Sequence, residues 1–143
     1  MTLKSEYLER CVRSLEHALG LLGRTSPDSI DYDVFRNAAI KSFELSLETS
    51  GKLLQKVLRP YFASPKEVDR LVFKDLFRQA AKHGILSVES VERWLQYRDN
   101  RNNTAHDYGE SFANETLKLL SDFVKDAKDL AEIIERREHE PED

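Results

Sequence analysis

A chain of 143 residues with 40% hydrophobic and 34% charged residues is long enough to bury one apolar core, and its composition argues against a disordered chain. Its apolar runs are shorter than the ~20 residues needed to cross a bilayer, and no targeting signal is visible, so we expect a cytoplasmic protein with no membrane partner. The net charge of −4 argues against general polyanion binding. It leaves room for a local basic patch, because residues 135–143 hold five acids against two arginines.

Two helices are predicted in the first sixty residues. Apolar residues recur every three or four positions over residues 3–23, which predicts an amphipathic helix with Cys11 buried on its apolar face. A loop at 24–31 precedes a second helix over 32–59, which Pro60 ends. Several stripes of apolar residues on this helix predict contacts with several neighbours. These residues are Val34, Phe35, Ala38, Ala39, Phe43, Leu45, Leu47, Leu53, Leu54, Val57 and Leu58.

Three further helices follow. Ser64-Pro65-Lys66-Glu67 predicts a helix start with a Ser cap, a Pro in the first turn and a capping box closed by Glu. That third helix should run to His83, which we interpret as a cap-region residue beside the helix-ending Gly84. The fourth and fifth helices should begin near Ser87 and Ser111.

No alternating strand pattern is present, so the predicted fold is all-α. We expect an up-down helical bundle of about five helices over residues 1–135, followed by an acidic flexible tail at 136–143.

One polar stretch, Arg101-Asn102-Asn103-Thr104-Ala105-His106-Asp107-Tyr108, stands out as a candidate for chemistry. Arg101 and His106 are five residues apart, so in an unbroken helix they would point about 140° away from each other. Either the helix ends between them, as the weak helix formers at 102–104 favour, or each meets a partner from another chain. The stretch follows an apolar face formed by Val88, Val91, Trp94 and Leu95.

These residue types suit RNA cleavage. His106 can exchange a proton near neutral pH, Arg101 can clamp a phosphate and stabilise transition-state charge, and Asn102 can orient either partner by hydrogen bonding. Attack of a ribose 2′-hydroxyl on its own phosphate needs no metal. The alternative is that Arg101 and His106 satisfy the last carbonyls of the fourth helix.

Other charged residues are weaker candidates. Arg98, Lys52 and Lys56 could contact an RNA backbone, or they could be simply solvent-exposed. Glu44 and Glu48 share a helix face, which permits acid chemistry or metal binding, but an ion pair between Glu48 and Lys52 explains part of the pattern. The sequence lacks phosphate-loop, zinc and dinucleotide motifs, so we expect no cofactor and no metal.

The order Arg-x-x-x-x-His-x-Tyr, with Asn102 directly after Arg101, resembles the motif of HEPN domains (higher eukaryotes and prokaryotes nucleotide-binding). It is most similar to the small prokaryotic proteins paired with a minimal nucleotidyltransferase. The segment Asp33-Val34-Phe35-Arg36-Asn37-Ala38-Ala39-Ile40-Lys41-Ser42-Phe43-Glu44-Leu45-Ser46-Leu47-Glu48 resembles their long second helix. The resemblance spans roughly residues 3–135. Gly51, which precedes Lys52, departs from it, because many relatives have an aromatic residue there.

The resemblance implies a HEPN-like fold and a metal-independent endoribonuclease toxin of a type VII-like toxin–antitoxin pair, with tRNA among its candidate RNA substrates. It implies a homodimer in which Arg101 and His106 of two chains line one cleft. It also implies that a cognate nucleotidyltransferase antitoxin silences the toxin by adenylylating Tyr108. The alternative is a non-catalytic partner that presents substrate to the nucleotidyltransferase.

Overall fold

The computed structural model describes residues 4–106 and 112–138, with backbone alone at 102–106, 113–114 and 138. This described part of the chain contains no strand and forms a helical bundle. Its α-helices are α1 (Glu6–Leu22), α2 (Ile30–Leu58), α3 (Pro65–Asp69), α4 (Phe73–Lys82), α5 (Val88–His106) and α6 (Leu117–Glu138). A 3₁₀ turn at Arg59–Tyr61 follows α2, and a π-helical turn at Phe112–Thr116 leads into α6. The predicted all-α bundle is confirmed.

Helix α2 is the centre of the bundle and packs against α1, α4, α5 and α6. Ser29 begins it, because the Ser29 Oγ accepts a hydrogen bond from the Tyr32 N–H at 3.1 Å and so satisfies one backbone donor of the first turn. Phe43, Leu47 and Leu54 are each at most 2% exposed. The prediction that this helix has several neighbours is confirmed.

The third predicted helix is two helices, so that prediction was wrong. Helix α3 ends at Asp69, and α4 begins at Phe73 after Val72, whose φ of −77° and ψ of 164° are extended. In one unbroken helix Val72 would share a face with Val68 and Leu76. Instead Val72 is 63% exposed, while Val68 is fully buried and Leu76 is 6% exposed. The break lets α3 and α4 bury separate faces, and burial outweighs local helix propensity.

The start of α3 also differs in detail from the prediction. Pro65 is its first residue, as predicted, but the Ser64 side chain makes no capping hydrogen bond. The Glu67 N–H instead donates to the Ser64 carbonyl at 3.2 Å, so the Ser64 hydroxyl takes no part in the cap.

A row of aromatic rings links α4, α5 and α6 through the core. The ring centroids of Phe73 and Phe77 are 4.6 Å apart, those of Phe77 and Trp94 are 4.8 Å apart, and those of Trp94 and Phe123 are 5.3 Å apart. Phe77, Trp94 and Phe123 are fully buried, whereas Phe73 is half-buried at the outer end of the row. Contacts of this kind each add roughly 0.5–1.5 kcal/mol beyond burial. The row therefore holds Phe73 firmly at the surface.

Some residues of the predicted apolar faces are exposed. Val34 is 55% exposed and Val88 is 60% exposed. Val88 is the first residue of α5, and the buried face of that helix begins at Val91, which is 5% exposed. Cys11 is a buried free thiol, as predicted.

The predicted role of His83 as a cap-region residue is confirmed. His83 is the C-cap of α4 and precedes Gly84, whose positive φ of 72° suits glycine. Its ring stacks on Tyr61 with the centroids 4.4 Å apart, which ties the end of α4 to the 3₁₀ turn.

Helix α6 continues to Glu138, three residues beyond the predicted end of the domain at 135. The predicted start of the fifth helix near Ser111 and the last five residues of the predicted tail lie outside the described residues. In the described ranges, no helix combines the length and apolar character needed to cross a membrane.

Candidate functional site

Helix α5 carries the candidate motif and runs without a break from Val88 to His106. Its start is capped, since the Ser90 N–H donates to the Ser87 Oγ at 3.0 Å. Of the two alternatives given for Arg101 and His106, the one in which the helix ends between them was wrong. Tertiary packing stabilises helices more than propensity does, and buried Val91, Trp94 and Tyr97 anchor this one. The backbone positions of Arg101 and His106 thus lie about 140° apart around one helix.

Arg101 is half-buried and lines a pocket of about 140 Å³ at the junction of α2, α4 and α5. The pocket combines cations, carboxylates and apolar groups that are far apart in the sequence. Its lining residues are Glu44, Leu47, Glu48, Phe73, Arg98 and Arg101.

The α5 wall of the pocket is cationic. Arg98 lies with its guanidinium carbon 5.8 Å from the centroid of the Phe73 ring, a distance at which a cation is attracted to the face of an aromatic ring. Asp99 does not neutralise Arg98, because its carboxylate pairs with Lys74 of α4 at 2.6 Å. Arg98 and Arg101 share one surface, because both line this pocket.

The α2 wall is acidic. Glu48 pairs with Lys52 at 3.2 Å, with more than half of each side chain exposed, so the predicted ion pair is confirmed. Glu44 is half-buried in the pocket lining. Lys56 is exposed and does not line the pocket, so the structure does not group it with the candidate arginines.

The side chains of the other three candidate residues of the motif, Asn102, His106 and Tyr108, are not among those that the structure describes. Asn102 and His106 belong to α5, and the structure describes their backbone alone. Tyr108 lies outside the described residues. The roles predicted for these three residues therefore stay predictions.

Comparison with known proteins identifies the family. The model of the family called "Nucleotidyltransferase substrate binding protein like" matches residues 3–136. The chain belongs to this family.

Individual relatives agree with this assignment. The Haemophilus influenzae (strain ATCC 51907 / DSM 11121 / KW20 / Rd) protein named "Probable ribonuclease HepT" is 29% identical over 109 residues, which cover 76% of this chain and 73% of the relative. This relative, together with the family match and the similar folds, confirms that the chain is of the HEPN and minimal-nucleotidyltransferase type.

Two solved structures have similar folds. A Haemophilus influenzae structure, which is said to reveal the fold of a substrate binding domain of a nucleotidyltransferase, matches with a TM-score of 0.70 and 25% identity, covering 92% of this chain and 99% of the other. A Thermus thermophilus structure matches with a TM-score of 0.58 and 29% identity, covering 88% of this chain and 99% of the other.

This family member also contains a buried polar network that was not predicted from the sequence. The Arg93 guanidinium donates two hydrogen bonds of 2.9 Å to the Asp126 carboxylate, and the Tyr97 hydroxyl donates to the same carboxylate at 2.5 Å. Asp126 and Tyr97 are buried. The available signal was an acid within the apolar seam of α6, opposite an Arg and a Tyr at i,i+4 spacing on α5.

The network changes the acidity of its members. The hydrogen bond to Asp126 raises the pKa of Arg93 above its usual value. Burial, followed by the hydrogen bond to Asp126, raises the pKa of Tyr97. Both groups therefore keep their protons, and the network locks α5 to α6 one to two turns before Arg101.

Metal ligands form no cluster in the described part of this family member, where no group of three or more His, Cys, Asp or Glu side chains could hold an ion.

Proposed function

We propose that this protein is a metal-independent endoribonuclease and the toxin of a toxin–antitoxin pair. The observation that carries the proposal is the pocket in which half-buried Arg101 lies beside Arg98, on the helix that continues to His106. The H. influenzae relative named as a probable ribonuclease supports the reaction class.

The proposed reaction uses the RNA as its own nucleophile. The ribose 2′-oxygen attacks the adjacent phosphorus while the bond from phosphorus to the 5′-oxygen breaks, which leaves a cyclic phosphate and a 5′-hydroxyl. His106 takes the 2′-hydroxyl proton or protonates the leaving 5′-oxygen, and water exchanges the other proton. Arg101 binds the phosphate oxygens as their charge grows, and Asn102 orients the pair. Arg98, together with exposed Lys52 and Lys56, contacts the RNA.

A homodimer is part of this proposal. The positions of Arg101 and His106 diverge by about 140° around α5, so a composite cleft needs Arg101 of one chain and His106 of the other. Light scattering should therefore give about twice the monomer mass of 16.6 kDa, and a mass of one chain at micromolar concentration would exclude the dimer.

Control is proposed to act at Tyr108. Membership in a nucleotidyltransferase substrate-binding family supports a nucleotidyltransferase antitoxin as partner. An adenylate on Tyr108, two residues after His106, would add negative charge and bulk near the RNA path. Coexpression with the partner should add adenylate mass to the wild type but not to Tyr108→Phe. A Tyr108→Phe protein that is modified and silenced would place control elsewhere.

A second candidate function is a non-catalytic module that presents substrate to a nucleotidyltransferase. The Haemophilus structural relative, a nucleotidyltransferase substrate binding domain, favours it. RNA cleavage separates the two functions, because a binding module should not cut RNA.

The deciding experiment is cleavage of RNA by purified protein in the presence of a chelator. Arg101→Ala and His106→Ala should each reduce the rate by about a hundredfold to ten-thousandfold. The matched controls are Arg10→Ala and His17→Ala, whose side chains are exposed on α1, and both should keep the wild-type rate. Full activity in His106→Ala would reject the catalytic assignment.

A further inference from the structure

The pocket beside Arg101 has two chemically different ends joined by an apolar middle. We propose that it is a subsite for one guanine base of the substrate RNA, with Glu44 binding the edge of the base and the Phe73–Arg98 stack binding its face. This inference rests on the proposed ribonuclease function, because it supplies the base preference of that reaction.

The size of the pocket suits a single base. Its volume of about 140 Å³ is well below the roughly 300–1,000 Å³ of sites for drug-sized ligands. One planar ring system fits such a volume, whereas a whole nucleotide does not. The sugar and phosphate of the bound nucleotide would stay at the mouth, where Arg101 lines the pocket.

The face of the base is matched by the Phe73 ring with the Arg98 guanidinium over it. RNA bases commonly stack on aromatic rings and on arginine guanidinium planes, and Arg98 already lies over the Phe73 ring. Phe77 supports Phe73 from the core. Gly51 lets the ring lie close to α2, since a Cβ at this position would be only 3.1 Å from Phe73 Cδ2.

The edge of the base is matched by Glu44. Glu48 is exposed and engaged with Lys52, whereas half-buried Glu44 forms no salt bridge in the part of the chain that the structure describes. Its two carboxylate oxygens can accept two adjacent hydrogen bonds. Guanine presents such a pair through its N1–H and its 2-amino group, while adenine, cytosine and uracil present no two adjacent donor atoms on one edge.

A direct binding measurement tests the subsite without relying on cleavage. In calorimetric titrations of the full-length protein, GMP should bind about ten- to a hundredfold more tightly than AMP, the discrimination expected of a paired hydrogen-bond contact to a base. Glu44→Gln should remove this preference by lowering the affinity for GMP alone, because Gln carries one acceptor and one donor group and cannot accept both guanine hydrogen bonds. Phe73→Leu should lower the affinity for both nucleotides, because it removes the aromatic ring below the base. The control Glu92→Gln, which removes an exposed carboxylate of α5, should leave the preference intact.

Cleavage of a random-sequence RNA pool then separates this inference from the proposed function. Cuts next to guanine by the wild type, and loss of that bias in Glu44→Gln, would support both. Cuts without base bias, together with equal binding of GMP and AMP, would overturn the guanine subsite and leave the ribonuclease standing. A protein that prefers GMP through Glu44 but cuts no RNA would overturn the ribonuclease and keep the subsite.

Discussion

Removal of the Asp126 carboxylate is the sharpest test of how α5 is held in place. This carboxylate is 7% exposed and accepts two hydrogen bonds of 2.9 Å from Arg93, whose side chain is 49% exposed. The breaking of a fully buried ion pair costs about 3–5 kcal/mol. In Asp126→Ala, water can hydrate the half-exposed Arg93 guanidinium, so the loss of its ion pair should cost less than that. The Tyr97 hydroxyl stays buried without its acceptor, which adds about 1–3 kcal/mol.

We therefore expect Asp126→Ala to lower the free energy of unfolding by about 2–4 kcal/mol. For a domain of this size the loss corresponds to a fall in Tm of about 6–15 °C, measured by circular dichroism at pH 7. Asp129→Ala removes an exposed carboxylate from the same helix and should shift Tm by less than about 2 °C. If Asp126→Ala melts within about 2 °C of Asp129→Ala, the network does not stabilise the bundle as argued.

Three further outcomes follow from the structure. Tyr97 has a raised pKa, so its contribution to the free energy of unfolding is complete below the unfolded-state pKa of about 10 and is lost as pH rises above that value. Urea unfolding from pH 9 to 11 should therefore show a steeper fall in the free energy of unfolding for the wild type than for Tyr97→Phe, by up to about 1.4 kcal/mol per pH unit. Equal slopes for the two proteins would contradict this. Gly51→Ala should stabilise the protein by about 1 kcal/mol through helix propensity in a Phe73→Ala background. It should stabilise the wild type little, because the new Cβ would lie 3.1 Å from the Phe73 ring. A double-mutant cycle measures the difference, and additive effects of the two substitutions would exclude the contact. Ser29→Ala should cost about 1 kcal/mol in urea unfolding, whereas Ser64→Ala, which removes no capping hydrogen bond, should cost almost nothing.

The sequence by itself determined the helical class, most helix limits and the motif. These features depend on contacts within about one helical turn, such as the Pro65 start of α3, the glycine after α4 and the i,i+4 pair of Glu48 and Lys52. The sequence pattern already contains the information for such local features. The same local reasoning was wrong at Val72, where separate burial of α3 and α4 outweighs a continuous helical pattern.

Only the tertiary structure decided which distant residues meet. Glu44 of α2, Phe73 of α4 and Arg101 of α5 line one pocket, and Arg93 pairs with Asp126, 33 residues away along the chain. No local spacing specifies such pairs, because they depend on how the helices pack around α2 and not on the period of any one helix. Local propensity also failed to predict the end of α5. The helix continues through the weak helix formers at 102–104, because core residues such as Trp94 and Tyr97 stabilise it by packing.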